Sequence, residues 1–168
     1  MSENQEQNQE QNTVQSVVST SILNLATEAV AALINALGLY APILRGALGT
    51  GDMLSYEIGP TMPETVWLDK NRYIPIDFTI NGKHSDLQVL SDAMNNIHEI
   101  LTMLFYYPHG DNWQIVDITT LSAPQVIGRE QDNRWIMASA LAVKVATFTP
   151  EPEPETEPDP ETEAGTEE

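Results

Sequence analysis

The side chains best suited to acid–base or metal chemistry are three histidines, His84, His98 and His109. His98 lies in a stretch with helical periodicity, but the residues four positions before and after it are Met94 and Thr102. A zinc-binding helix of the HExxH type needs a second histidine at that spacing. We therefore interpret the three histidines as surface or capping residues and expect no metal site.

Serine, aspartate and glycine residues are plentiful, but none stands in a known catalytic pattern. The chain has neither a GxSxG elbow nor a GxxxxGK[S/T] phosphate-binding loop. Gly46, Gly49 and Gly51 form only a loose cluster after Arg45, which is typical of a loop. The absence of cysteine excludes disulfides and cysteine-bound metals. We predict a protein that is not an enzyme, with no catalytic residues and no cofactor.

The two ends of the chain differ in composition from the middle. Residues 1–13 are almost all Asn, Gln, Glu and Ser, and residues 151–168 alternate Glu or Asp with Pro and Thr. Neither stretch has the large apolar side chains that offset the loss of chain entropy on folding. We predict two disordered extensions, 1–13 and 151–168, around a single domain at 14–150.

The net charge of −18 is concentrated in these ends. Twelve of the 25 acidic residues lie there, which leaves 13 acids against seven Lys and Arg, a net charge of −6, in the middle. No run of basic residues is present, although duplex recognition needs clustered Lys and Arg to displace counterions. We expect no specific recognition of nucleic acid.

A helix is predicted over residues 20–37, because apolar residues recur there at steps of three and four. Gly38 is placed to close it, and Pro42 prevents its continuation. The stretch between Glu28 and Arg45 is uncharged for 16 residues, fewer than the ~20 of a membrane span. We expect a buried or partner-facing helix, no membrane span and, since the N-terminus lacks a basic region, no secretory signal.

A longer helix is predicted after Lys83, where Ser85 and Gln88 have the spacing of a capping box. It should cover about twenty residues and end before Pro108. Its apolar stripe, which we expect to pack on a sheet, contains Leu87, Leu90, Met94, Ile97, Leu101 and Leu104.

Alternation of apolar residues and β-branched composition predict the strands. We expect strands at 53–58, 65–68, 73–80, 113–121 and 135–148, a turn at 81–82 and a loop at 122–133. This order of elements predicts an α+β fold, with a curved antiparallel or mixed sheet and two main helices packed on one face.

Several aromatic and small residues are candidates for a surface between subunits. Aromatic side chains are enriched at interfaces, but core packing explains them as well, and both interpretations stay open. Small residues on one face of the last strand suggest close packing against a neighbour. The candidates are Trp67, Tyr73, Trp113, Trp135, Ala138, Ala140 and Ala142.

Five segments together resemble the small tail terminator proteins of long-tailed phages, often labelled minor capsid proteins. They are MLSYEIGP from Met53, VWLDKNRYIPIDFTI from Val66, KHSDLQVLSDAMNNIHEIL from Lys83, WQIVDITTLSAP from Trp113 and NRWIMASALAVKV from Asn133. They are similar to the family's first strand, hairpin, long helix, penultimate strand and last strand. The two terminal extensions depart from the family pattern.

The resemblance implies a virion structural protein, made in the bacterial host cytoplasm and located at the head–tail junction. Family members form hexameric rings that cap the tail tube, stop its polymerisation and join the head connector. The expected partners are other copies of this chain, the tail-tube protein and the connector or stopper protein, with DNA passing through the ring. The alternative is another virion protein, such as a tail-tube subunit or a connector component.

Overall fold

The computed structural model describes residues 22–59, 65–66 and 71–148. The predicted extensions at 1–13 and 151–168 lie outside these residues, as does Trp67. The described part holds two helices and six strands. In chain order these are α1 (22–36), β1 (Ile43–Arg45), β2 (Met53–Ile58), β3 (Thr65–Val66), β4 (Arg72–His84), α2 (Leu87–Thr102), β5 (Trp113–Arg129) and β6 (Trp135–Thr147).

The six strands form one open, mixed sheet. Its spatial order is β1-β2-β4-β6-β5, and the short β3 pairs with the start of β4. β1 and β2 are parallel, whereas the other pairs are antiparallel. The predicted α+β class and mixed sheet are therefore confirmed, and β1 and β5 are the edge strands.

The centre of the sheet is the long pair of β4 and β6. Every second residue of β4 from Ile74 to Ile80 is buried, and Ile76 and Phe78 face Val143 and Leu141 across the pair. Successive residues of a strand point to opposite faces, so every second side chain lies on the same face, which we call the core face. The alternation predicted for both strands is confirmed.

α2 covers this core face. The predicted stripe is confirmed, since Leu90, Met94, Ile97 and Leu101 are all completely buried. The helix contacts β4, β5 and β6. Its predicted length and start are wrong: it has 16 residues, and its N-cap is Asp86, whose side chain accepts hydrogen bonds from the two backbone N–H groups of Gln88 and Val89.

α1 also contributes to the single buried cluster. Ala26, Val30 and Ile34 belong to the same cluster as the core residues of α2 and the sheet. Gly38, with φ of +64°, has the left-handed conformation expected just after a helix. That α1 shares the core face with α2 remains a prediction. In the part of the chain that the structure describes, no helix is long and apolar enough to cross a membrane.

The turn predicted at Asn81-Gly82 is wrong, because β4 continues through both residues to His84. Pairing with Ala138 and Met137 of β6 holds this stretch in the sheet. Gly82 has another role: a Cβ atom there would lie only 2.7 Å from Leu90 Cδ1. Glycine at this position lets α2 approach the sheet closely.

Pro75, which has no backbone N–H, lies at a position of β4 where the described pairings to β2 and β3 require no hydrogen bond from it. Two residues on, the carbonyl of Asp77 accepts a hydrogen bond from Gly59 N–H at 2.8 Å, toward the side of β4 that holds β2. Alternate residues direct their backbone groups the same way, so the Pro75 nitrogen faces that side too. The described pairings to β3 involve residues 72–73 and those to β2 residues 78–83. Pro75 lies between them, as an edge-facing proline should.

The loop predicted at 122–133 is largely strand. β5 continues to Arg129, since Gln125, Val126, Gly128 and Arg129 keep partners on β6. Pro124 is tolerated because it falls in an irregularity, between the pairs made by Ser122 and Gln125. The result is a long β5–β6 hairpin with a short connection at residues 130–134.

Candidate assembly surfaces

The predicted alanine surface exists on the face opposite the core face. Ala138, Ala140 and Ala142 are half-buried and lie across from Asn81, Thr79 and Asp77 of β4. All six side chains are short, so this outer face is flat and has no projecting group in its middle. A flat face of short side chains allows another backbone to come close.

Tyr73 lies at one end of this outer face. It pairs with Ala146, and the Nζ atom of Lys144 stands 5.2 Å from the centroid of its ring. A cation over an aromatic ring at this distance is mildly stabilising. Tyr73 and the three alanines therefore lie on the same face of the sheet.

The two described tryptophans lie elsewhere. Trp113 is only 6% exposed and belongs to the buried cluster, so its role is core packing and it has little surface to offer a neighbour. Trp135, the first residue of β6, is half-buried and packs against the cluster. The guanidinium of Arg129 covers its ring, 4.7 Å from the centroid. The six predicted residues that the structure describes therefore do not form a single patch.

The far half of β5 is a second surface, which sequence reasoning missed. We call residues 121–129 the β5 arm. Leu121, Val126 and Ile127 are exposed there, Ile127 at 58%. Leu121 and Ile127 fall at register shifts between β5 and β6. Bulged residues leave the pairing pattern, which accounts for the exposure of Leu121 and Ile127. Val126 keeps its partner Met137.

The β5 arm is also an edge. β5 pairs with β6 on one side and, among the described strands, with none on the other. An edge strand presents backbone N–H and C=O groups that can pair with another chain. Natural edges are often protected by charge, but Arg129 is the only charged residue in the arm.

The third surface follows α2, and we call it the aromatic tip: Met103, Phe105 and Tyr106. Phe105 is 95% exposed and Tyr106 90%. The predicted helix of about twenty residues would have included these residues in or just after its last turn. Because α2 ends at Thr102, they lie after the helix, outside the core. Pro108 restricts only Tyr107 and does not account for the helix ending at Thr102. Tyr107 turns back and packs against the cluster.

A polar network holds the base of the hairpin to β4. Lys83 is only 2% exposed, and its ammonium group forms a salt bridge with Glu130 at 3.0 Å. The same group donates a hydrogen bond to the carbonyl of Gly49. One buried cation therefore joins β4, the loop after β1 and the connection between β5 and β6.

A second set of contacts reinforces this junction. Arg134 Nε donates to Asp52 at 2.9 Å, and its guanidinium also contacts Asp132. Desolvation raises the pKa of Asp52, but the Arg134 hydrogen bond and the nearby His84 outweigh it, so that pKa lies below its usual value. Lys83 and Arg134 are both paired with carboxylates, so they do not form an unpaired basic cluster at this junction.

The prediction that His98 is a surface or capping residue is wrong. His98 is buried on α2, with Nδ1 2.9 Å from the Thr120 hydroxyl on β5. Burial lowers the pKa of His98, so its neutral form is favoured. Within residues 22–59, 65–66 and 71–148, no group of three His, Cys, Asp or Glu side chains is arranged to hold a metal ion.

In comparisons with known proteins, no family model matches the chain, and no curated protein matches its sequence. Function is therefore inferred from the surfaces described above and from the resemblance in the order of the elements.

Proposed function

We propose that the protein is a tail terminator of a long-tailed bacteriophage. It assembles into a ring, six copies in our proposal, that caps the tail tube and presents a surface to the head connector. It would be made in the host cytoplasm and incorporated in the virion at the head–tail junction.

The observation that carries the proposal is exposed apolar surface in two separate places on one small domain. The aromatic tip and the β5 arm together expose Met103, Phe105, Tyr106, Leu121, Val126 and Ile127. Large exposed apolar patches mark interaction sites in soluble proteins. A closed ring covers two different patches on every subunit, because each interface joins one patch to the other.

The fold supports the same proposal. Between Met53 and Val145, the order of strand, hairpin, helix and two long strands corresponds to the order that the resemblance implies. The mild acidity of the middle of the chain suits a ring through which DNA slides, since a basic lumen would retain it.

The genetic test is a phage in which the gene for this protein is interrupted. We expect normal heads together with overlong or unjoined tails in electron micrographs, and rescue when the protein is supplied from a plasmid. Joined tails of normal length without the protein would contradict the proposal. Absence of any tube would instead favour the alternative of a tail-tube subunit.

A further inference from the structure

The aromatic tip and the β5 arm lie at opposite ends of the sheet. His84, the last residue of β4, pairs with Trp135 of β6. Arg129, the last residue of the arm, pairs with Trp135 from the other side. The arm therefore reaches the end of the sheet at which α2 begins. α2 then runs about 24 Å, at 1.5 Å per residue, toward the other end. There the tip precedes Trp113, which pairs with Thr147. The tip of one molecule therefore cannot cover its own arm.

We propose that the aromatic tip of one copy docks on the β5 arm of the next copy, head to tail. This inference rests on the proposed function, because it names the contact that would close the ring. Two different patches at opposite ends of one chain define a heterologous interface, which can repeat by rotation.

Charge favours a second copy as the occupant. The segment around the tip, residues 99–112, carries Glu99 and Asp111 and neither Lys nor Arg. The arm carries Arg129 as its only charge. The tip side is therefore acidic, while the one charge within the arm is positive. Glu130 and Asp132, which follow the arm, are paired with Lys83 and Arg134. The acidic tip therefore faces Arg129 and no unpaired carboxylate of the connection, which favours the encounter.

The available area also suits such an interface. Two aromatic rings bury about 300–500 Å² together. This is roughly half of the ~800 Å² that each partner buries in a standard interface. Met103 on the tip side adds to it, and on the arm side Leu121, Val126 and Ile127 are 56%, 47% and 58% exposed.

The test uses two full-length variants. The tip variant carries Phe105→Ser and Tyr106→Ser, and the arm variant carries Ile127→Glu, which places a negative charge opposite the acidic tip. Sedimentation velocity should show oligomers for the unaltered protein and monomers for each variant. We expect association to weaken by at least ~30-fold, as when an interface loses a dominant aromatic contact.

An equimolar mixture of the two variants gives the sharpest readout. The arm variant keeps an intact tip and the tip variant keeps an intact arm, so one interface can form between them. The mixture should give dimers and nothing larger, because the remaining tip and arm of each dimer are defective. A mixture that stays monomeric, or single variants that associate normally, would overturn the inference.

Two controls keep the result interpretable. Leu25→Ser alters an apolar side chain on α1 that is as exposed as Val126, 47% in each case, and should leave association unchanged. Circular dichroism checks folding, and Val126→Glu replaces the arm variant if that variant fails to fold. If the unaltered protein is itself monomeric, the head-to-tail contact is wrong, whereas tube capping is decided by its own assay.

Discussion

Lys83 shows how a single residue connects distant parts of the chain. Its side chain is buried, yet its ammonium group has two oxygen partners, the Glu130 carboxylate and the Gly49 carbonyl. A buried charge is tolerated only when it is paired and hydrogen-bonded. The sequence does not reveal this role, because Gly49 and Glu130 are separated from Lys83 by 34 and 47 positions.

Glu130→Gln tests this junction. The substitution removes the negative charge and leaves Lys83 with a neutral partner, so we expect the free energy of unfolding in urea to fall by about 1–3 kcal/mol. The lower part of that range is expected, since Glu130 is partly exposed. The double variant Lys83→Met/Glu130→Gln should recover part of the loss, because an apolar side chain can replace a buried ion pair. No recovery would contradict the paired-cation interpretation.

His98 predicts a dependence of stability on pH. Burial lowers its pKa in the folded state below the ordinary 6.5, so the unfolded chain binds the proton more readily. Stability is therefore complete above pH ~6.5 and falls as the pH decreases through the folded-state pKa. Between pH 7 and 5, His98→Gln should unfold with a flatter pH profile than the unaltered protein. The exposed His109→Gln serves as the control and should keep the original slope.

Residue-scale prediction from sequence succeeded where a pattern was local. The stripe of α2 was correct, but its N-cap was assigned to Ser85 instead of Asp86. Asp86 is itself a preferred N-cap residue, and its carboxylate accepts hydrogen bonds from the N–H groups of Gln88 and Val89. The Ser85 N–H donates instead to Asp52, 33 residues earlier. Trp113 was offered as a surface candidate because its covering by the rest of the core depends on the tertiary fold.

At the scale of elements, the packing of α2 against the sheet is expected to stabilise the fold. Leu101 is completely buried near its end, while its neighbour Ile100 is 38% exposed. Leu101→Ala should lower the free energy of unfolding by about 2–5 kcal/mol, the usual loss for a large-to-small core change. Ile100→Ala is the matched control and should cost less than ~1 kcal/mol. Equal effects of the two variants in urea unfolding would place the stripe on the wrong face of the helix.

The strands show what pattern alone can and cannot predict. β2 was predicted with its observed bounds, and β6 with its start at Trp135. The end of β4 and the second half of β5 were missed, since Asn81-Gly82 and Pro124 are turn and breaker signals. In both places pairing with β6 prevails over local preference, and only the register of that pairing decides the outcome.

At the scale of the whole molecule, the core face of the sheet is buried, whereas the aromatic tip and the β5 arm expose apolar side chains. The sequence predicted the fold class and the small residues on one face of the last strand. It did not predict the aromatic tip or the β5 arm, because the exposure of apolar residues depends on where α2 stops and how far β5 extends. The proposed ring would account for both, since each subunit would offer its neighbours two distinct patches.

The most direct measurement follows tube growth in vitro. Purified tail-tube subunits are allowed to polymerise with and without this protein, and tube lengths are measured by electron microscopy. We predict that the protein binds one end of each tube as a ring and that growth stops there, so the mean length decreases as more protein is added. The aromatic tip variant serves as a matched control for ring formation. Tubes that grow to the same lengths at every protein concentration, with bare ends, would contradict the terminator account.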